Sequence, residues 1–128
     1  MSGMDRYRTR EKANATKRIP LYDPATGATT EDWLEIRSSM SDAFKQGKNA
    51  ALQEASDFSM EQAGEDRDEA LARVQARMHA SLVADWSFDE PCTPEAVTEF
   101  LMDSPHVTAL VVGIADRGSL FFGNASEN

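Results

Sequence analysis

The sequence has a single cysteine, Cys92, only two histidines, and no apolar run approaching the roughly 18 to 20 residues that cross a bilayer. Each scarcity excludes something. One cysteine cannot close an internal disulfide, so the chain suits a reducing compartment. His79 and His106 stand far apart with no second Cys or His at ligand spacing, which leaves a metal centre without ligands. Asp89 and Glu90 precede Cys92, and nothing beside it is basic enough to activate a thiolate. There is no G-x-S-x-G or Walker pattern, and Gly113 and Gly118 do not make a phosphate-cradling loop. The carboxylates Glu65, Asp66, Asp68 and Glu69 lack the order of an EF-hand loop and read as a solvated helix face. No catalytic, metal or cofactor-binding residue is expected, and neither is an enzyme. The opening residues MSGMDRYRTREK lack the apolar stretch of a secretory signal, so the expected location is the cytoplasm.

What is present fits one small globular domain. The chain has 128 residues, of which 41% are hydrophobic and 27% charged, close to the average for folded proteins. Its mean hydropathy is −0.51 and its pI about 4.6. The net charge of −9 is unevenly placed. Residues 1–20 hold six basic side chains against Asp5 and Glu11, or +4, while the other 108 hold seven basic and 20 acidic, or −13. A body of that sign repels nucleic acid, whose binding rests on neutralising phosphates.

Residues 1–17 carry almost nothing apolar and are expected to form a flexible basic tail. The domain is expected over 18–122, with 123–128 as a second flexible tail. Extended runs flank Asp23-Pro24-Ala25-Thr26-Gly27, where Asp-Pro opens a turn and Gly27 closes it, so an N-terminal β-hairpin is expected at about 18–37. About four helices follow, making the fold mainly α and α+β overall. The first starts at the N-cap Ser41 and carries Phe44, Ala51, Leu52, Ala55 and Phe58 at helical spacing, with Gly47 as a weak point. A break is expected at Gln62–Asp66. The next helix, over 66–86, puts Leu71, Val74, Met78, Leu82 and Trp86 on one stripe and pairs Glu69 with Arg73. Thr93-Pro94 and Ser104-Pro105 open two more. Val107 to Ile114 is β-branched enough for a strand, whereas its cap and i, i+3, i+4, i+7 spacing favour a helix that Gly118 ends.

Near the end, Leu120, Phe121 and Phe122 either fold back over the helices or dock a partner. With Trp33 and Leu34 they are the candidate partner-binding residues.

Read in order, Pro20-Leu21-Tyr22-Asp23-Pro24-Ala25-Thr26-Gly27, Trp33-Leu34, Asp85-Trp86-Ser87-Phe88, Thr93-Pro94-Glu95 and Leu120-Phe121-Phe122 resemble the tail assembly chaperones of long-tailed (siphovirus-type) bacteriophages and prophages. The likeness runs from Ile19 to Phe122. It implies a non-catalytic role in virion assembly in the host cytoplasm: binding the tape measure protein, keeping it soluble, and helping to recruit tail tube subunits. The finished particle would not contain it. Contact with the tail tube protein would come through a frameshifted longer product. The resemblance also implies self-association into multimers, for which the hairpin edge is a candidate contact, and neither nucleic acid nor membrane as a partner. The runner-up is an acidic, non-catalytic module that sequesters a basic protein.

Overall fold

The structure, a computed structural model, describes residues 3–58 and 65–122. It is mixed α+β and mostly helical. A 3-10 turn at Gly3–Tyr7 leads into α1 (Arg10–Ala13), then strands β1 (Thr16–Tyr22) and β2 (Thr29–Arg37). Helices α2 (Asp42–Phe58) and α3 (Glu65–Ala80) follow, then β3 (Val83–Trp86), α4 (Pro94–Asp103), α5 (Pro105–Ala115) and α6 (Gly118–Phe122). The arrangement of about four helices behind an N-terminal hairpin is therefore corrected. Among the described residues there are six α-helices, helical turns precede β1, and the antiparallel β1–β2 pair belongs to a three-stranded sheet of order β1-β2-β3.

The turn between β1 and β2 is built by its own side chains. Asp23 Oδ1 accepts from the amides of Ala25 (2.8 Å) and Thr26 (3.3 Å), and Gly27 takes φ +76°, the left-handed conformation that glycine adopts without steric cost. Alternation along the strands then sends Ile19, Leu21, Leu34 and Ile36 into the core.

The helix expected over 66–86 ends at Ala80, and residues 83–86 pair with β2 instead. Tertiary pairing overrides the helical stripe here. The Arg37 amide donates to Leu82 O (2.6 Å), and its guanidinium Nη1 donates to Ser81 O (2.9 Å) and Val83 O (3.1 Å), so β2 fixes the turn that converts helix to strand. Trp86 is buried as expected, but on a strand.

Several caps stand where the sequence puts them. Ser41 Oγ accepts from the Phe44 amide (3.2 Å) and Thr93 Oγ1 from the Ala96 amide (3.1 Å). Ser104 precedes α5 without a side-chain cap bond, and 107–114 is helical. Gly118 opens α6 rather than closing α5, whose C-cap is Asp116. Arg73 turns from Glu69 to pair with Glu99 on α4. Part of the break expected at Gln62–Asp66 lies outside the described residues, as does the tail at 123–128.

The basic tail expected over 1–17 is also corrected for its described part. Ala13 is only 1% exposed, Arg10 Nη2 and Asn14 Nδ2 donate to the Asp42 carboxylate (3.2 and 3.1 Å), and Thr16 and Lys17 already belong to β1. A short helical turn with one small apolar residue suffices because the body supplies the partner carboxylate. The domain boundary set at 18 thus falls inside a strand.

One core joins the sheet to the helices. Leu34, Ile36 and Val111 are fully buried, with Leu82, Val97, Leu101, Val107 and Ala115 around them. Each large apolar side chain so placed contributes roughly 1.5 to 3 kcal/mol. Among the described residues no helix is long and apolar enough to cross a membrane.

Candidate functional site

The five candidate partner-binding residues do not form one surface. Leu34 is 0% and Phe121 7% exposed, so both belong to the core and neither can meet a partner on the folded surface. Leu120 and Phe122 are half-buried and pack against that core from α6. Trp33 lies on the opposite, outer face of the sheet, because strand alternation sends neighbours to opposite sides. There the Arg18 guanidinium sits 3.7 Å from its ring centroid, close enough for a cation–π contact, and Arg18 Nη2 also reaches Glu35 Oε1 at 3.4 Å.

The motif Asp85-Trp86-Ser87-Phe88 is a structural joint. The rings of Trp86, Phe88 and Phe100 meet edge to face in all three pairs, with centroids 5.2 to 5.8 Å apart. Trp86 Nε1 donates to Glu90 O (2.7 Å), and Ser87 bridges back to Trp33 through its amide (3.1 Å) and hydroxyl (2.9 Å). This ties the connector before α4 to the sheet and satisfies the indole donor.

Among the described residues, two of the concave regions with room for a ligand or partner lie beside elements already named. The first, about 380 Å³, lies between α2, β3 and the start of α4 and is lined by Ala51, Val83, Val97 and Cys92, with the Arg77–Glu54 ion pair at its wall. Burial, with Asp85 nearby, pushes the Cys92 thiol above its ordinary pKa, which favours the protonated thiol. The second, about 650 Å³, is a groove between the N-terminal turn, α6 and the start of α2, with Phe122, Ala13, Tyr7 and Met40 as apolar wall and Arg8, Arg10 and Lys45 as basic rim. Sequence reasoning missed this groove by assigning residues 1–17 to a tail. The signal available was the placement of Met4 and Tyr7 among arginines.

Burial lowers the pKa of His79, and His106 is exposed. Hydrogen bonds from Arg10 and Asn14 hold Asp42 below its usual value. Among the described residues no three His, Cys, Asp or Glu side chains converge as metal ligands would.

Compared with protein-family models, characterised proteins and solved structures, the chain matches none.

Proposed function

We propose that the protein is a tail assembly chaperone of long-tailed bacteriophages or their prophages, one that binds and solubilises the tape measure protein and helps recruit tail tube subunits in the host cytoplasm. The observation that carries this reading is the ordered series of motifs between Ile19 and Phe122. Those motifs supply the hairpin turn, the aromatic joint at Trp86, the Thr93 cap and the closing helix α6. They are the residues on which a shared fold would depend.

Physical chemistry supports the same reading. A client that is long, helical and prone to aggregate is held in solution by a carrier of strong single-sign charge, and the chain outside its first 20 residues carries −13. Of the aromatic and apolar residues expected to meet a partner, Trp33, Leu120 and Phe122 keep accessible area, and Trp33 and Leu120 are the contacts assigned to the client. Tail tube recruitment and any longer frameshifted product belong to the same proposal.

Co-expression with a tape measure protein from the same genome tests it. The soluble fraction of that client rises, and an unchanged fraction overturns the reading. The acidity of the body also favours a second reading, sequestration of a basic protein. Its sign is salt-sensitive binding that is indifferent to Trp33→Ala and Leu120→Ala.

A further inference from the structure

The charge of this molecule is sorted along its strands. At one end, where Thr16 pairs with Arg37 and α1 meets the start of α2, residues 3–17 and 37–48 hold eight Lys or Arg and three Asp or Glu, or +5. At the other end, where the hairpin turns and Ser87 joins Trp33, residues 20–33 and 87–91 hold five Asp or Glu and no Lys or Arg, or −5. The ends are separated by the length of β1, roughly 20 Å at 3.3 Å per residue. Each end also exposes apolar surface: Met4, Tyr7 and Met40 at 58 to 76% on the basic end, Tyr22 at 49% on the acidic end.

We infer that the basic groove takes the hairpin end of a second copy of this chain, so that copies join head to tail. The groove offers an apolar wall for the Tyr22 ring and a rim of Arg8 and Lys45 for the exposed carboxylates of Glu31 and Asp32. Opposite potentials on the two surfaces favour this docking and disfavour groove-to-groove or hairpin-to-hairpin contacts. Because the two surfaces differ, the contact is heterologous and repeats until a ring closes or a filament grows.

Pairing through the edge of β1 is a poorer route. Trp33 directs its backbone N–H and C=O to Ser87 on the β3 side, so its cross-strand neighbour Pro20 directs its ring nitrogen to the open edge, where a partner strand would need a donor. Self-association is therefore expected at the ends, not at the hairpin edge named from sequence.

The inference does not rest on the tape measure reading, and its test uses the purified full chain without any client. Sedimentation equilibrium at low ionic strength reads the mass against concentration. The wild-type mass rises with concentration and falls when salt is added. Arg8→Glu/Lys45→Glu at one end, or Glu31→Lys/Asp32→Lys at the other, weakens association by roughly a hundredfold, since like charges then face each other. Mixing the two variants restores association beyond the dimer, because the acidic groove of one then faces the lysine hairpin end of the other while the unaltered groove and hairpin end still match. Circular dichroism verifies that each variant is folded, and Tyr22→Ser replaces any that is not, with the same expected loss. A wild-type chain that stays monomeric, a salt-insensitive mass, or variants that associate unchanged would overturn the inference. So would a mixture that associates no better than either variant alone.

Discussion

Gly47 of α2 lies against Ser81, so close that a β-carbon added at 47 would stand 2.5 Å from both Ser81 Cβ and Ser81 Oγ. From sequence this glycine is a weak point in a helix. In the fold it is the place where α2 touches the turn that converts α3 into β3.

Gly47→Ala should therefore destabilise the protein. The propensity gain of about 1 kcal/mol in a helix interior is outweighed by overpacking of typically 1 to 3 kcal/mol, because Ser81 Cβ is held by backbone and cannot swing away. Ser81→Gly should restore part of the loss. Denaturant titration of the two single variants and the double variant measures the coupling.

Trp86→Ala should cost roughly 3 to 5 kcal/mol, since it removes one ring from the Trp86–Phe88–Phe100 set and the partner of Glu90 O. Trp86→Phe keeps most of the packing and loses the hydrogen bond, for about 1 kcal/mol. The ratio of the two losses, read from urea midpoints, separates packing from hydrogen bonding.

Phe121 and Trp33 should behave differently. Phe121→Ala lowers the melting temperature strongly, as expected for a residue 7% exposed within the core. Trp33→Ala, on the outer face, changes stability by about 1 kcal/mol or less, the scale of an exposed cation–π contact, and reduces the soluble yield of a co-expressed tape measure protein. Equal melting temperatures for Phe121→Ala and wild type would place α6 off the core.

Stability should fall in two stages on acidification. Burial lowers the folded-state pKa of His79 below its ordinary 6.5, so the unfolded chain takes up the proton first, and stability present above pH 6.5 is lost as pH falls below it. His79→Gln flattens that part of the profile. Asp42, lowered from 3.8 by hydrogen bonds from Arg10 and Asn14, contributes above that value and loses its contribution as pH falls below it. Arg10→Ala weakens this second stage, as measured by thermal melts between pH 3 and 8.

Pro20→Thr should open the edge of β1. A threonine amide at 20 supplies the donor that proline withholds, and edge strands with a full set of donors and acceptors recruit other strands. Light scattering during storage should rise for this variant while its melting temperature stays near that of wild type.

Local chemistry was enough to place the hairpin turn, the caps at Ser41 and Thr93, and the helix starting at Pro94. In each of these the deciding groups lie within a few residues of one another. Leu82 and Trp86 were correctly assigned to the core, yet the helix drawn through them was wrong, because helical spacing and a turn into a strand can bury the same residues. The candidate site fared less well. Leu34 and Phe121 read as partner-facing only by their apolar character, and sequence cannot tell an apolar residue that faces a partner from one that faces its own core.

The sequence by itself determined the mixed, mostly helical composition of the fold and its acid excess, since these depend on residue types and near-neighbour spacing. Only the tertiary structure decided that residues 83–86 are a strand, that Arg10 and Asn14 fasten the N-terminal turn to Asp42, and that opposite charges gather at opposite ends of the sheet. Those outcomes depend on groups that are far apart in the chain and meet through packing and strand register, which no local pattern specifies.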